Sequence, residues 1–266
     1  MSINQSNERQ KLPPIKLDSG DVYDGEWKNG KKDGFGKYET IDKSIYEGEW
    51  VDDKIEGKGK ILHADGNCYD GEWKNDFAYG KGTYIRPNGT KYEGEWENNK
   101  ENGMGLDSLE DGTQYEGQYF QGKRHGKGIL NFEDGSRYEG EFQFGQINGF
   151  GTYIWPDKRF YKGQWNNNMM HGKGYFIQID GKTYNGEYKD DQKHGKGVYR
   201  WPDGSIFNGT WVQGKQNGVG IFQSKNKEVI VGLWDQGNLV SLFEQSEIDQ
   251  LIKDQIINRE DIEKLQ

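Results

Sequence analysis

The sequence is poor in what a conventional core is built from. Only 31% of its 266 residues are hydrophobic, 30% are charged, and the mean hydropathy is -1.10. No run approaches the ~18 apolar residues of a membrane helix; the longest, Val229 to Trp234, is broken by Gly232. The single cysteine, Cys68, excludes an internal disulfide framework and a multi-cysteine zinc site. Basic residues are outnumbered, 35 to 44, so the net charge is -9 and the pI is near 5.1. That balance argues against nucleic acid as a partner, because neutralising phosphates takes concentrated Lys and Arg. Met1 to Lys11 is polar and lacks the apolar stretch of a signal peptide. The expectation is a soluble, acidic protein of the cytoplasm.

So few aliphatic residues would leave most chains disordered. Two abundances argue otherwise: 14% aromatic residues, with 9 Trp and 16 Tyr, and 40 glycines against 5 prolines. The arrangement of these residues is periodic. Tyr23, Tyr46, Tyr69, Tyr92, Tyr115, Tyr138, Tyr161, Tyr184, Phe207 and Ile230 recur every 23 residues and define position one of ten units. Position three is glycine in all ten, and position five is aromatic, from Trp27 and Trp50 to Trp211 and Trp234. Positions twelve and fourteen are glycine in the nine complete units, as in Gly34 and Gly36. Position eight is only Gly, Asp or Asn, which predicts a left-handed backbone there. Asp65-Gly66, Asn88-Gly89, Asp134-Gly135 and their equivalents at positions twenty and twenty-one predict a second tight turn. Every glycine of the chain falls on this frame.

Each unit therefore reads as two short strands and two turns. Tyr-x-Gly-x-Trp alternates with period two, so the ring positions and glycine share a face. Gly-x-Gly-x-Tyr on the second strand offers bare backbone, over which the neighbouring strand's aromatic ring is expected to lie flat. A lone hairpin is marginal in water, so the units must stack. The fold class expected is all-β: an elongated, single-layer antiparallel β-hairpin solenoid of about twenty strands, roughly 90–100 Å long at ~4.8 Å per strand, with a short C-terminal α-helix. Three segments follow: a polar tail at 1–14; the solenoid at 15–240, nine complete units from Tyr23 plus a truncated tenth; and a helical segment at 241–266 that either caps the array or docks on a partner. Ile15-Lys16-Leu17 with Asp18-Ser19-Gly20 looks like a half unit closing the first edge. In the last segment Ser246 is read as the helix N-cap, and Ile248, Leu251, Ile252 and Ile256 share one helical face that Ile262 and Leu265 extend.

The Tyr-Glu-Gly-Glu-Trp, Gly-Lys-x-x-Gly-x-Gly and Trp-Pro-Asp-Gly signatures at this period resemble the MORN repeat family (membrane occupation and recognition nexus), from residue 15 to about 240. The resemblance implies a single-layer solenoid and a scaffolding role in cytoskeletal, ciliary or membrane-junction assemblies. An architecture of almost nothing but these repeats is similar to that of the radial spoke head MORN proteins of the ciliary axoneme. The partners implied are other protein subunits of a large complex.

Candidate docking residues are departures from the frame. Position eighteen carries Leu109, Phe132, Trp155 and Trp201, which either pack against the adjacent turn or form an exposed stripe for a partner. In unit four Asp107 occupies position sixteen, where other units have Tyr84 or Tyr153. The paired acids at positions two and four, such as Glu47 and Glu49, read as a solvated face opposite Lys58, Lys81 and Lys127 across the hairpin. This acidic stripe disfavours anionic lipid and fades in units seven to nine, which keeps a peripheral membrane or phosphoinositide adaptor as the alternative. His125, His171 and His194 all stand at position eleven, too far apart for shared zinc at Zn–N distances of about 2.0 Å. Cys68 reads as a tolerated surface or edge residue. No phosphate-binding glycine loop and no nucleophile with its base can be assembled, so no catalytic residue, cofactor, metal or small-molecule substrate is expected and the chain is read as not an enzyme.

Overall fold

A computed structural model describes residues 6–263. It comprises two bodies, Met1–Glu133 and Asp134–Gln266. In each, consecutive strands pair antiparallel in chain order, as in the pairings Val22–Lys28 with Lys31–Glu39 and Phe160–Asn166 with Met169–Ile177. Every complete unit supplies one strand of 7 residues and one of 9. The all-β solenoid reading holds, and the boundaries move at both ends.

The first turn is left-handed at two positions rather than one. Asn29 and Gly30 have φ of 51° and 77°, and Asp52 and Asp53 have 48° and 68°. Two consecutive positive φ values form the mirror-image turn whose twist suits a hairpin. Where position eight is Asp or Asn, its side chain also reaches the preceding unit: Asp53 accepts the Lys32 N–H at 2.8 Å and Asn168 accepts that of Ile147 at 2.8 Å. Their own N–H groups donate back to the Lys32 and Ile147 carbonyls. Turn residues thus stitch unit to unit. The second turn is wider. The His63 N–H donates to the Asn67 carbonyl at 2.8 Å, the Gly66 N–H to the His63 carbonyl at 2.9 Å, and only the glycine is left-handed, at φ 87°.

The aromatic ladder differs from the flat-ring expectation. It is the tyrosine of the same hairpin that sits on glycine. A Cβ at Gly25 would stand 2.5 Å from Tyr23 Cζ, and one at Gly36 would stand 2.5 Å from Tyr23 Cε2. The same seat recurs under Tyr46, Tyr69, Tyr92, Tyr115, Tyr138, Tyr161 and Tyr184. Each of these tyrosines donates its hydroxyl to the position-four carbonyl, from 2.8 Å at Tyr161 to 3.2 Å at Tyr46. Position twelve carries no ring. Pairing slips between Gly25 and Trp27, and Gly34 lies in the resulting bulge with φ 110°.

Position five links neighbouring units. Trp50 stands edge-on to Tyr46 at 5.2 Å and to Tyr23 of the preceding unit at 5.5 Å. Its Nε1 donates to the Gly36 carbonyl of that preceding unit at 3.2 Å; Trp73, Trp96, Trp165 and Trp211 do the same with Gly59, Gly82, Gly151 and Gly197. Trp27 has no preceding unit, and its buried Nε1 lacks an acceptor. Edge-to-face rings add about 0.5–1.5 kcal/mol each beyond their buried area, so the ladder replaces an aliphatic core.

The first edge is closed more fully than the 1–14 tail implies. Gln10–Lys11 pairs with Trp27 and Glu26, Ile15–Lys16 pairs with Tyr23 and Val22, and Arg9 holds the buried Asp33 at 2.7 Å. The half unit at 15–20 is present as expected, with the Gly20 N–H donating to Leu17. At the other end the last strand runs Asn238–Leu242, past the expected limit at 240.

Candidate docking surfaces

Position eighteen opens the second turn, and its side chains are half-buried. In the first body the Leu109 backbone carries the turn's hydrogen bonds to Thr113 and Gly112, and Phe132 directly follows the strand Lys123–Asn131. In the second body Trp155 packs on Tyr153 at 4.4 Å and edge-on to Phe176 of the next unit at 5.5 Å, with the Arg159 guanidinium 5.1 Å from its ring. Trp201 repeats the arrangement, at 4.6 Å from Tyr199 and 6.0 Å from Phe222. Packing against the local structure and partial exposure therefore coexist. Tyr153, Trp155, Phe176, Trp201 and Phe222, half-buried, with the buried Tyr199 among them, make an aromatic strip on the ring-bearing face of the second body.

Charged groups are embedded in that face. Lys32 lies 4.2 Å from the Trp50 ring and Lys193 lies 4.6 Å from the Tyr199 ring. Burial pushes the pKa of both ammonium groups down. Asp107 is buried between Tyr92 and Tyr115, with Arg86 at 3.7 Å and the Tyr119 hydroxyl donating to Oδ2 at 3.4 Å. The irregularity visible in the sequence is thus an internal ion pair with a matched tyrosine.

The outer face is not a uniform solvated stripe. Position four is Glu or Gln in the first eight units, and its side chain has a structural job. Glu26 accepts the Phe35 N–H at 2.7 Å, Glu141 that of Phe150 at 2.9 Å, and Gln164 that of Lys173 at 2.7 Å. Each carbonyl or carboxylate oxygen satisfies a backbone donor freed by the bulge. The exclusive use of Glu and Gln was the readable signal for this role. In the strand register Lys58 and Lys81 stand opposite Glu72 and Glu95 of the following hairpin, while the Lys58 N–H donates to Glu49 of its own. Glu141→Gln is expected to leave stability within about 0.5 kcal/mol of the parent, whereas Glu141→Ala should cost about 0.5–1.5 kcal/mol by leaving the solvent-accessible Phe150 N–H to water. Urea unfolding of the two variants distinguishes the cases.

The C-terminal segment is two short helices, α1 (Gln245–Lys253) and α2 (Arg259–Glu263), not one. The N-cap of α1 is Glu244, whose N–H donates to Glu247 at 2.8 Å, rather than Ser246. Ile248, Leu251 and Ile252 do share a helical face, and they pack with Ile257 and Ile262 over Ile221 and Val231. Ile256 does not belong to that face. The helix stops at Lys253, Gln255 turns left-handed at φ 58°, and Ile256 is exposed while Ile257 is buried. Leu265 lies outside the described residues. This segment therefore caps the sheet, on the outer face, where Val219, Ile221, Val229 and Val231 replace the charges of earlier units. That loss of charge was the sequence signal for the covered patch.

Among the described residues no group of three or more His, Cys, Asp or Glu side chains is placed to hold a metal ion. His171 faces Asp190 at 3.4 Å and His125 makes a tilted ring contact with Phe120 at 5.6 Å. Cys68 is buried at the start of its strand, not at the surface. No helix among the described residues is long and apolar enough to cross a membrane.

The MORN repeat family model matches residues 23–44, 46–68, 69–91, 92–106, 115–137, 138–158, 161–183, 184–206 and 207–229. In unit four the match ends just before Asp107. No curated protein matches the sequence. Among solved structures, the SAS-4 (dCPAP) TCP domain of Drosophila melanogaster, in complex with a proline-rich motif of Ana2, is 12% identical over 65% of this chain and 88% of that one, with a TM-score of 0.37. The TCP10 domain of Danio rerio CPAP is 11% identical over 87% of this chain and 99% of that one, with a TM-score of 0.25. Likenesses this distant carry no functional argument.

Proposed function

Because the chain belongs to the MORN repeat family, we propose that it is a non-enzymatic scaffold subunit of a large protein assembly and that the aromatic strip of its second body is a docking surface. MORN repeats imply an interaction or scaffold role, and no enzyme family is indicated. The observation that carries the reading is the half-open position of Trp155 and Trp201, each packed across two units yet reachable from outside. Large rigid rings of this kind anchor interfaces at low entropic cost. The assembly proposed is the ciliary axoneme, with this chain in a spoke-head-like position; the support is the family resemblance and the nearly repeat-only architecture. In the test, the tagged chain and a Trp155→Ser/Trp201→Ser variant are expressed in ciliated cells, with circular dichroism verifying the variant's fold. The parent should recover axonemal structural subunits that the folded variant loses. Equal recovery by both would overturn the docking assignment, and companions from elsewhere would overturn the placement.

The membrane reading is opposed by Asp24, Glu47, Asp70 and Glu93, exposed or half-exposed at position two of the first body. The protein is expected to stay in the supernatant when vesicles with and without anionic lipid are sedimented; anionic-dependent pelleting would favour the adaptor instead.

A further inference from the structure

Positions thirteen and fifteen of each unit point to the outer face, and the molecule itself shows what an apolar pair there does. In unit nine the pair is Val219 and Ile221, and α1 and α2 close over it with Leu251, Ile252 and Ile257. In unit four the pair is Met104 and Leu106, which are 50% and 41% exposed, with no described segment above them. The frame does not call for apolar residues there: unit three has Lys81 and Thr83 in the same places. Ile129, two strands further on, extends the patch at position fifteen, with Glu116 between it and Leu106 in the strand register.

The surroundings specify the charge of what fits. Leu106 is flanked on its two neighbouring strands by Glu93 and Glu116. Asp70, Glu93 and Glu95 outnumber Lys81 in the lining of the shallow cleft that Met104 borders, and Asp70 is met by Lys60 at 3.8 Å. Glu93 is engaged by Lys91 at 3.1 Å, whereas Glu116 is exposed and makes no ion pair among the described residues. The chain's own C-terminal segment is the wrong sign for this rim. Glu247, Asp249, Asp254, Glu260 and Asp261 outnumber Lys253 and Arg259, so the helices of a second copy would meet like charge.

We propose that the outer face of units four and five seats a basic amphipathic helix of a partner protein. The helix lies there as α1 lies on unit nine and the last strands, with Leu or Ile side chains over Met104, Leu106 and Ile129 and Lys or Arg toward Glu93 and Glu116. The occupancy is helix-in-groove recognition read from i, i+3 and i+4 anchors, and the acidic rim supplies the sign selection. Within the first body this surface lies on the side of the strands away from the buried tyrosines, and it shares no residue with the aromatic strip.

The test uses the full chain and two labelled peptides with the sequence of residues 244–263, one unaltered and one with its Asp and Glu residues replaced by Lys. Fluorescence anisotropy should show the lysine peptide binding, more weakly as salt is raised, and the unaltered peptide not binding. Met104→Lys/Leu106→Thr restores the residue types of unit three and so is expected to fold, as circular dichroism verifies; it should weaken the lysine peptide by about tenfold or more, ~1.4 kcal/mol. Phe150→Lys, at position thirteen in the second body, should not. No binding, equal binding of both peptides, or insensitivity to the unit-four variant would overturn the proposal. So would dimerisation of the parent that the unit-four variant abolishes, or its sedimentation with anionic vesicles, since each assigns the face to another occupant.

Discussion

Raising the pH above about 10 should unfold the protein cooperatively and over a narrow interval. Eight tyrosines, from Tyr23 to Tyr184, are buried to within 3% of full burial and each donates its hydroxyl to a backbone carbonyl. Burial raises every one of their pKa values, that of Tyr115 to about 12 and the others further. In the unfolded chain they ionise near pH 10. A folded-state pKa above the unfolded value gives stability that is intact below pH 10 and is withdrawn as pH rises, because the unfolded state then releases protons that the folded state keeps. The loss is about 1.4 kcal/mol per pH unit for each tyrosine, so eight together exceed a typical domain's stability of about 5–15 kcal/mol within two pH units. Tyrosinate absorbance and far-ultraviolet circular dichroism, followed together, should change in one step. Gradual ionisation near pH 10 with the sheet intact would show that the rings are not seated as described.

The second large effect is expected from a single methyl group. A Cβ at Gly94 would stand 2.5 Å from the Met104 carbonyl oxygen and 2.6 Å from Gly105 Cα, both backbone atoms that cannot step aside. At Gly105 it would stand 2.6 Å from Tyr92 Cζ and displace the ring from its seat. Gly94→Ala and Gly105→Ala should each cost more than about 3 kcal/mol. At Gly232 the nearest atom is Leu239 Cδ1 at 2.5 Å, the tip of a flexible side chain, and the backbone atom met is the Ser241 carbonyl oxygen at 2.8 Å, on a terminal strand paired on one side among the described residues and so able to shift; the cost should be smaller than at Gly94. Trp96→Ala should likewise exceed Trp234→Ala: Trp96 contacts Tyr92 and Tyr69 in two units and donates to Gly82, whereas Trp234 stands against Phe207 of the preceding unit. Urea midpoints measure both comparisons. Equal costs in the interior and in unit ten would contradict unit-to-unit stacking.

The repeat frame, the hairpins and the turn glycines were legible because each rests on a local rule: period two for strands, and positive φ for Gly, Asp and Asn. What was not legible follows from the bulge between positions three and five. A strict alternation places Tyr, Gly and Trp on one face but does not say that Tyr23 covers Gly25 and Gly36 of its own hairpin while Trp50 reaches back to Gly36. Nor does alternation show that position four turns inward to a backbone N–H, which the unbroken run of Glu and Gln at Glu26, Glu49, Glu72, Glu95 and Gln118 did encode. In the C-terminal segment the 3.6-residue pattern fits Ile256 as well as Ile257. The choice is made by the left-handed Gln255, whose conformation no helical period reports. The residues of position eighteen were identifiable as a series, but the double contact of Trp155 and Trp201 needed the neighbouring unit's position sixteen in place.

The claim on which all of this rests is that position-five rings tie each unit to the one before it, and that in units two, three, four, seven and nine a tryptophan indole does so by bonding to that unit's backbone. Hydrogen exchange at the indole Nε1–H groups, resolved by NMR, tests it most directly. Trp50, Trp73, Trp96, Trp165 and Trp211 should exchange slowly, as donors to glycine carbonyls at 2.9–3.3 Å, and Trp27, buried without an acceptor, should exchange faster than all five. Exchange of the five at the rate of Trp27 or of free indole would contradict the ladder.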